Sequence, residues 1–189
     1  MKRNEGLKIA IVGATGLVGR TFLKVLEGSH LPIDEIQLFA TEKSAGQFLE
    51  FKGTNLTVEN IKQADFTKFD VALFSAGKVA SKEIVPVAVK SGCLVIDNGS
   101  YWRMHPDVPL VVPEVNFQQA LNHKGLIANP NCSTIQLVVA IETDSQWLTK
   151  TGILTQVAVI FKLLSSKIFL VSLIIFVSSS EKLYFEGIE

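Results

Sequence analysis

A chain of 189 residues with 18 Lys plus Arg against 18 Asp plus Glu has no surplus positive charge. That balance argues against nucleic acid as the main partner, and the length suits one domain with a remainder. The only cysteines, Cys93 and Cys132, lie at no metal-ligand spacing, and each reads as a small core residue or a reactive thiol in a reducing cytosol. The start MKRNEG has no apolar run before Leu7, and Leu7–Val12 is too short for a signal-peptide core, so the expected location is cytoplasmic.

Leu7–Val12 (LKIAIV) is an apolar run ending at Gly13, the pattern of a buried parallel strand. Gly13–Gly19 reads as a glycine-rich turn. Phe22, Leu23, Val25 and Leu26 then recur at helical spacing over Thr21–Gly28, with Gly28 as the stop. Glu35–Ala40 is a second strand, and Gln47–Phe51 with Asn55–Val58 suggests a hairpin around Lys52–Gly53. Val71–Phe74 is again strand. Ala80–Lys90 is expected to be helical, with Pro86 in its first turns and Ile84, Val85 and Val89 on one face. Leu94–Ile96 is strand, followed by a loop holding Asp97, Asn98 and Gly99. Leu110–Val112, a short helix near Phe117–Leu121 and the strand Leu126–Ala128 lead into Asn129–Pro130, and Ser133–Ile141 reads as a buried helix. Strands alternating with helices predict an α/β fold with a doubly wound parallel sheet.

The strand-to-helix junction carries Gly13, Thr15, Gly16, Leu17, Val18 and Gly19 in a G-x-x-G-x-x-G spacing. Glycine lets the backbone turn tightly and approach a pyrophosphate, while helix N-terminal amides and dipole bind the anion. A dinucleotide site is therefore expected, with a merely structural turn as the alternative. The end of the second strand should meet the adenosine ribose. There Thr41, Lys43 and Ser44 would receive a 2′-phosphate, favouring NADP, whereas Glu42 would hold a 2′-hydroxyl. A solvated turn of mixed charge is the alternative.

Cys132 follows a strand and an Asn-Pro-Asn turn and opens a helix, whose positive end favours the thiolate. A thiolate can attack an aldehyde or acyl carbon, and hydride exchange with a nicotinamide completes the step. The alternative is an inert core residue, the role expected of Cys93. Asn131 is a candidate oxyanion donor or an Asx-type helix cap. Arg103, in a loop after a strand's carboxyl end, is a candidate phosphate or carboxylate contact, or simply an exposed arginine. His30, His105 and His123 read as surface residues, and no histidine follows Cys132.

Five segments, AIVGATGLVGR, FATEKSAG, ALFSAG, VIDNGSYWRMHPDVPLVVPEVN and IANPNCSTIQLVVA, together resemble bacterial-type aspartate-semialdehyde dehydrogenase, from about Leu7 to Ile141. The related acetylglutamyl-phosphate reductases carry N-P-G-C-Y around their cysteine, so Asn131 and Ser133 speak against that branch. The resemblance implies a Rossmann-like NADP-binding domain, incomplete relative to the two-domain family. The implied reaction is NADPH-dependent reductive dephosphorylation of aspartyl β-phosphate to aspartate semialdehyde, or its reverse, on the route to lysine, threonine and methionine. By that likeness Cys132 is the nucleophile forming an acyl-thioester, with Asn131 beside it and Arg103 on the substrate phosphate. Thr15, Gly16, Leu17 and Val18 match the pyrophosphate loop. Lys43, where the family usually has arginine, matches the 2′-phosphate site with Thr41 and Ser44. Ala76 and Gly77 match the cofactor groove, and Lys78 departs from a position that is often small.

The family continues into a substrate and dimerisation domain with an acid–base histidine and a carboxylate-binding arginine. Residues 142–189 do not resemble it. They hold the apolar run from Ile153 to Val177, interrupted by Lys162 and Lys167. Each lysine would cost about 3 kcal/mol at a bilayer centre, which argues against a membrane span. A shifted reading frame or divergent end is the favoured source, and such a segment invites aggregation. The expected organisation is thus an NADP-binding domain with a cysteine loop at 1–141 and an apolar tail at 142–189. By itself this polypeptide is expected to turn over little, the alternative role being a non-catalytic NADP-binding or interaction fragment, membrane-associated through its tail.

Overall fold

The computed structural model describes residues 6–144. Leu7–Val12 forms β1, whose side chains enter two separate cores: Ile9 and Ile11 on one face, Ala10 and Val12 on the other. Burial on both faces explains why the strand reads as a continuous apolar run. The chain continues through α1 (Leu17–Glu27), β2 (Ile33–Ala40), β3 (Phe48–Phe51), β4 (Thr54–Asn60), β5 (Val71–Phe74) and α2 (Gly77–Lys90). It ends with β6 (Leu94–Asp97), α3 (Pro113–Asn116), β7 (Leu126–Ala128) and α4 (Cys132–Asp144).

The strands form one sheet in the order β3-β4-β2-β1-β5-β6-β7, parallel except for the β3–β4 hairpin. This is the doubly wound, Rossmann-like α/β arrangement expected. α1 packs Phe22, Leu23 and Leu26 over Ile9, Ile11, Leu38 and Leu73. α2 lays Val85 and Ala88 on the opposite face with Val12, Phe39, Phe74 and Val95. Aromatic contacts tie that second core together: Phe66 stacks on Phe74 with centroids 5.9 Å apart, and Phe69 meets Phe39 edge-on at the same 5.9 Å. Each such buried side chain contributes about 1.5–3 kcal/mol. The hairpin turns where expected, because Lys52 (φ 48°) and Gly53 (φ 77°) both take the left-handed region that a type I′ turn requires.

Several expectations need correction. α1 begins at Leu17, so Gly19 lies in its first turn rather than in the preceding loop. α2 begins at Gly77, which puts Pro86 deep in the helix instead of in its first turns. The carbonyl four residues earlier belongs to exposed Lys82, so water can serve it. Asp97 is the last residue of β6, fully buried, not part of a loop. Leu110–Val112 contributes one parallel bridge, Leu110 to Ala128. α4 is not buried along its length: Ile135 and Ala140 are buried, but Leu137 and Ile141 are 46% and 50% exposed. Its apolar composition outruns the face it packs. The apolar run Ile153–Val177 lies outside the described residues. Among the described residues, no helix is long and apolar enough to cross a membrane.

The connectivity positions the site. The chain starts in mid-sheet at β1, moves outward to β2, and returns through the hairpin to β5 on the other side of β1. The carboxyl ends of β1 and β5 therefore flank the point where strand order reverses, the usual ligand crevice of open α/β sheets.

Candidate active site

Three glycines shape the loop after β1, each differently. Gly13 has φ +85°, and a Cβ there would lie 2.3 Å from the Ser75 carbonyl oxygen at the end of β5. Gly19 allows α1 to touch the loop, since a Cβ would fall 2.2 Å from the Gly13 carbonyl and 2.6 Å from Ala14 Cα. Gly16 is less confined, with its nearest contact at 3.3 Å. The N–H groups of Gly13 and Ala14 both donate to Phe39 O (2.8 and 3.1 Å), and Gly16 N–H donates to Gly13 O (3.1 Å). Those bonds fix the loop's shape. The outward donors are the amides at the start of α1, Leu17 and Val18, because Gly16 caps the helix with no side chain. Thr15 is held by its carbonyl, which accepts from Arg20 Nε at 3.1 Å.

On the same sheet edge, β2 runs beside β1 and ends at Ala40, followed by Thr41 and a 3-10 turn of Glu42, Lys43 and Ser44. Thr41 and Lys43 are exposed and Ser44 is half-buried. Ala76 caps α2 and Gly77 opens it with φ +81°, next to the Gly13 loop. The tight backbone loop that Gly13 and Gly19 permit, the helix N-terminal donors and the exposed Lys43 beside two hydroxyl residues together fit a dinucleotide.

The cysteine loop sits further along this edge. Cys132 is exposed and is the first residue of α4, whereas Cys93 is buried. Asn131 caps the helix: its Oδ1 accepts from Ser133 N–H at 2.9 Å, and its carbonyl accepts from Ile135 N–H at 2.9 Å. The side-chain NH₂ of Asn131 makes no hydrogen bond among those described, so a second task is open to it. Arg103 is half-buried and clamped between two strand ends. Its Nε donates to Asn129 O at 2.9 Å and its Nη2 to Asn98 O at 2.8 Å. Asn129 Nδ2 also donates to Asn98 Oδ1 at 2.7 Å, so the guanidinium spans the exits of β6 and β7 three residues before the cysteine. Its remaining N–H groups are those available to an anion.

Sequence reasoning gave no role to the groups beneath this clamp. Buried Asp97 accepts from Ser81 Oγ and, at 2.8 Å, from Gly99 N–H. Burial pushes its carboxyl above the usual range, while Ser81, Gly99 and the Arg103 charge pull against that. Asn116 braces the other flank: its Oδ1 accepts from Val112 N–H (2.7 Å), and its Nδ2 donates to Leu110 O (2.9 Å). The PLVVPEVN segment thus supports β7. His123 Nδ1 accepts from Gly125 N–H at 3.0 Å, and burial lowers its basicity. His30 and His105 are exposed.

The profile described as "Semialdehyde dehydrogenase, NAD binding domain" matches residues 8–123. The chain belongs to this semialdehyde dehydrogenase family. It is 58% identical over 140 residues to the aspartate-semialdehyde dehydrogenase of Aquifex aeolicus, covering 72% of this chain and 41% of that protein. The crystal structure of aspartate semialdehyde dehydrogenase II from Vibrio cholerae, complexed with ASA, superposes with a TM-score of 0.71 at 45% identity, covering 72% of this chain and 45% of that one. The Candida albicans enzyme, solved with NADP, gives a TM-score of 0.60 at 26% identity over 74% of this chain and 48% of that one. This chain spans about two fifths of the length of the curated relatives it matches.

Proposed function

We propose that residues 1–141 are the NADP-binding domain and cysteine loop of an aspartate-semialdehyde dehydrogenase acting in the cytoplasm, with 142–189 lying outside that unit. One observation carries the reading: the glycine loop, the Ala76–Gly77 turn, Arg103 and Cys132 all leave the same sheet edge, at consecutive strand ends. The substrate class is an acyl phosphate of aspartate, and the products are aspartate semialdehyde and phosphate. Gly13, Gly16 and Gly19 shape the pyrophosphate cradle. Thr15, Leu17 and Val18 contact the pyrophosphate, and Thr41, Lys43 and Ser44 hold the 2′-phosphate. Ala76 and Gly77 leave room for the nicotinamide end. When bound, NADPH supplies the hydride.

The Cys132 sulfur attacks the acyl carbon, the bond to phosphate breaks, and a thioester forms. Arg103 takes the charge of the departing phosphate through the donors its two carbonyl clamps leave unused. Asn131 Nδ2 stabilises the oxyanion while its Oδ1 stays on the helix.

The test pairs titration with labelling. NADPH should bind more tightly than NADH, and Lys43→Glu should erase the difference. Cys132 should react with a thiol reagent faster than a free cysteine. Equal affinities in the parent would remove the NADP assignment, and ordinary labelling would remove the nucleophile.

A further inference from the structure

The polar network beneath Arg103 has no task in the reading above. Asp97 and Ser81 are the only buried polar or charged residues among the described core. They come from different elements, the end of β6 and the second turn of α2, and bond to each other. The second carboxylate oxygen accepts from Gly99 N–H, at the start of the loop that leads to Arg103. The next residue, Asn98, offers the carbonyl that clamps the Arg103 guanidinium. A buried carboxylate thus stands one peptide away from the cation expected to meet the anion.

We propose that Asp97 is a positioning residue whose buried charge offsets Arg103, weakening the attraction of anions to the mouth of the cysteine loop. This rests on the reading that Arg103 and Cys132 share one site. Burial pushes the Asp97 carboxyl upward, and the two hydrogen-bond donors and the Arg103 charge act against that, towards the ionised form. An unopposed arginine in a partly desolvated site would hold an anion strongly in reactant and product alike. Uniform tightening of that kind does not speed chemistry and slows departure of phosphate. The carboxylate leaves Arg103 enough charge to orient the anion and too little to trap it. Ser81 keeps the carboxylate from swinging into a direct ion pair, which would consume the donors the anion needs.

Charge-selective alkylation of Cys132 in the 189-residue chain tests this without turnover. The rate with iodoacetate divided by that with iodoacetamide reports the local potential and cancels the thiol's own reactivity. Buried Cys93 gauges folding, since it labels only when the core opens. Asp97→Asn keeps the shape and should raise the ratio roughly two- to fivefold at low salt. About 0.5 M salt should shrink that gain. Arg103→Gln should lower the ratio. An unchanged ratio in Asp97→Asn beside a lowered one in Arg103→Gln overturns this proposal alone. No change in either variant also removes Arg103 from the site. If Asp97→Asn exposes Cys93, the double variant is compared with Arg103→Gln. A higher ratio in the double variant supports the proposal. An equal ratio, or exposure of Cys93 there too, assigns Asp97 a scaffolding role and overturns it.

Discussion

Replacing Gly19 by Ala should damage both the fold and the cofactor site, while the same change at Gly16 should be mild. The added Cβ at 19 would meet backbone atoms at 2.2 and 2.6 Å, and no rotamer can relieve a clash with backbone. α1 would have to lift from β1, disturbing Phe22 and Leu23 in the core beneath it. Overpacking typically costs 1–3 kcal/mol, and a backbone collision belongs at the top of that range, about 3 kcal/mol. For a domain of this size that lowers Tm by on the order of 10 °C. The start of α1 would move with the helix, so NADPH affinity should fall by at least about tenfold, equivalent to 1.4 kcal/mol. At Gly16 the nearest atom is 3.3 Å away and φ is −72°, so a change within about 1 kcal/mol is expected. Thermal melts and fluorescence titration of the two variants decide the matter. Matching melting points and affinities for both variants would show that α1 does not approach the loop this closely.

Cys93 links stability to alkaline pH. Burial pushes its thiol from 9.0 up to about 12, so the folded state favours the neutral form. That contribution is complete below the unfolded value and drains away as pH rises from about 9 towards 12, at up to roughly 1.4 kcal/mol per pH unit. Urea unfolding midpoints of wild type should therefore fall faster than those of Cys93→Ala over that window, and parallel curves would contradict the assignment. At the other cysteine loop, Asn131→Ala should cost about 1 kcal/mol by removing the helix cap. Asn131→Asp keeps that acceptor, so its melting point should stay near wild type. Its oxyanion donor is gone, so the rate of acylation of Cys132 by an acyl phosphate should drop; an unchanged rate would leave Asn131 as a cap only.

The fold was legible wherever local rules and tertiary context agreed. Leu7–Val12 has the expected bounds because both of its faces are buried and its end is marked by a glycine that must take positive φ. The Lys52–Gly53 turn was readable for a similar reason. Helix starts were harder: α1 and α2 both begin without a capping side chain, so no Ser, Thr, Asp or Asn announced them. Of the candidate site, Cys132, Asn131 and Arg103 were named from their neighbours, and the Arg103 side chain reaches the Asn129 carbonyl, three residues before Cys132. Asp97 escaped because its partner Ser81 is sixteen residues away on another element. An aspartate beside Asn98 and Gly99 looks like turn chemistry until the strand beneath it is seen. α4 was misjudged because composition does not say how much of a helix its neighbours can cover.

The two flanks of the sheet are finished differently. At β7, the N–H and C=O of Ala128 are both taken by Pro109 and Val111, so an incoming peptide finds little backbone left to zip onto. Among the described residues β3, four residues long, has no strand on its outer side, with Phe48 facing solvent and charges at Glu50 and, in the adjoining turn, Lys52. Any cross-molecule strand addition by this domain should therefore begin at the hairpin, farthest from the cysteine, and a lysine in place of Phe48 should suppress it without touching the chemistry.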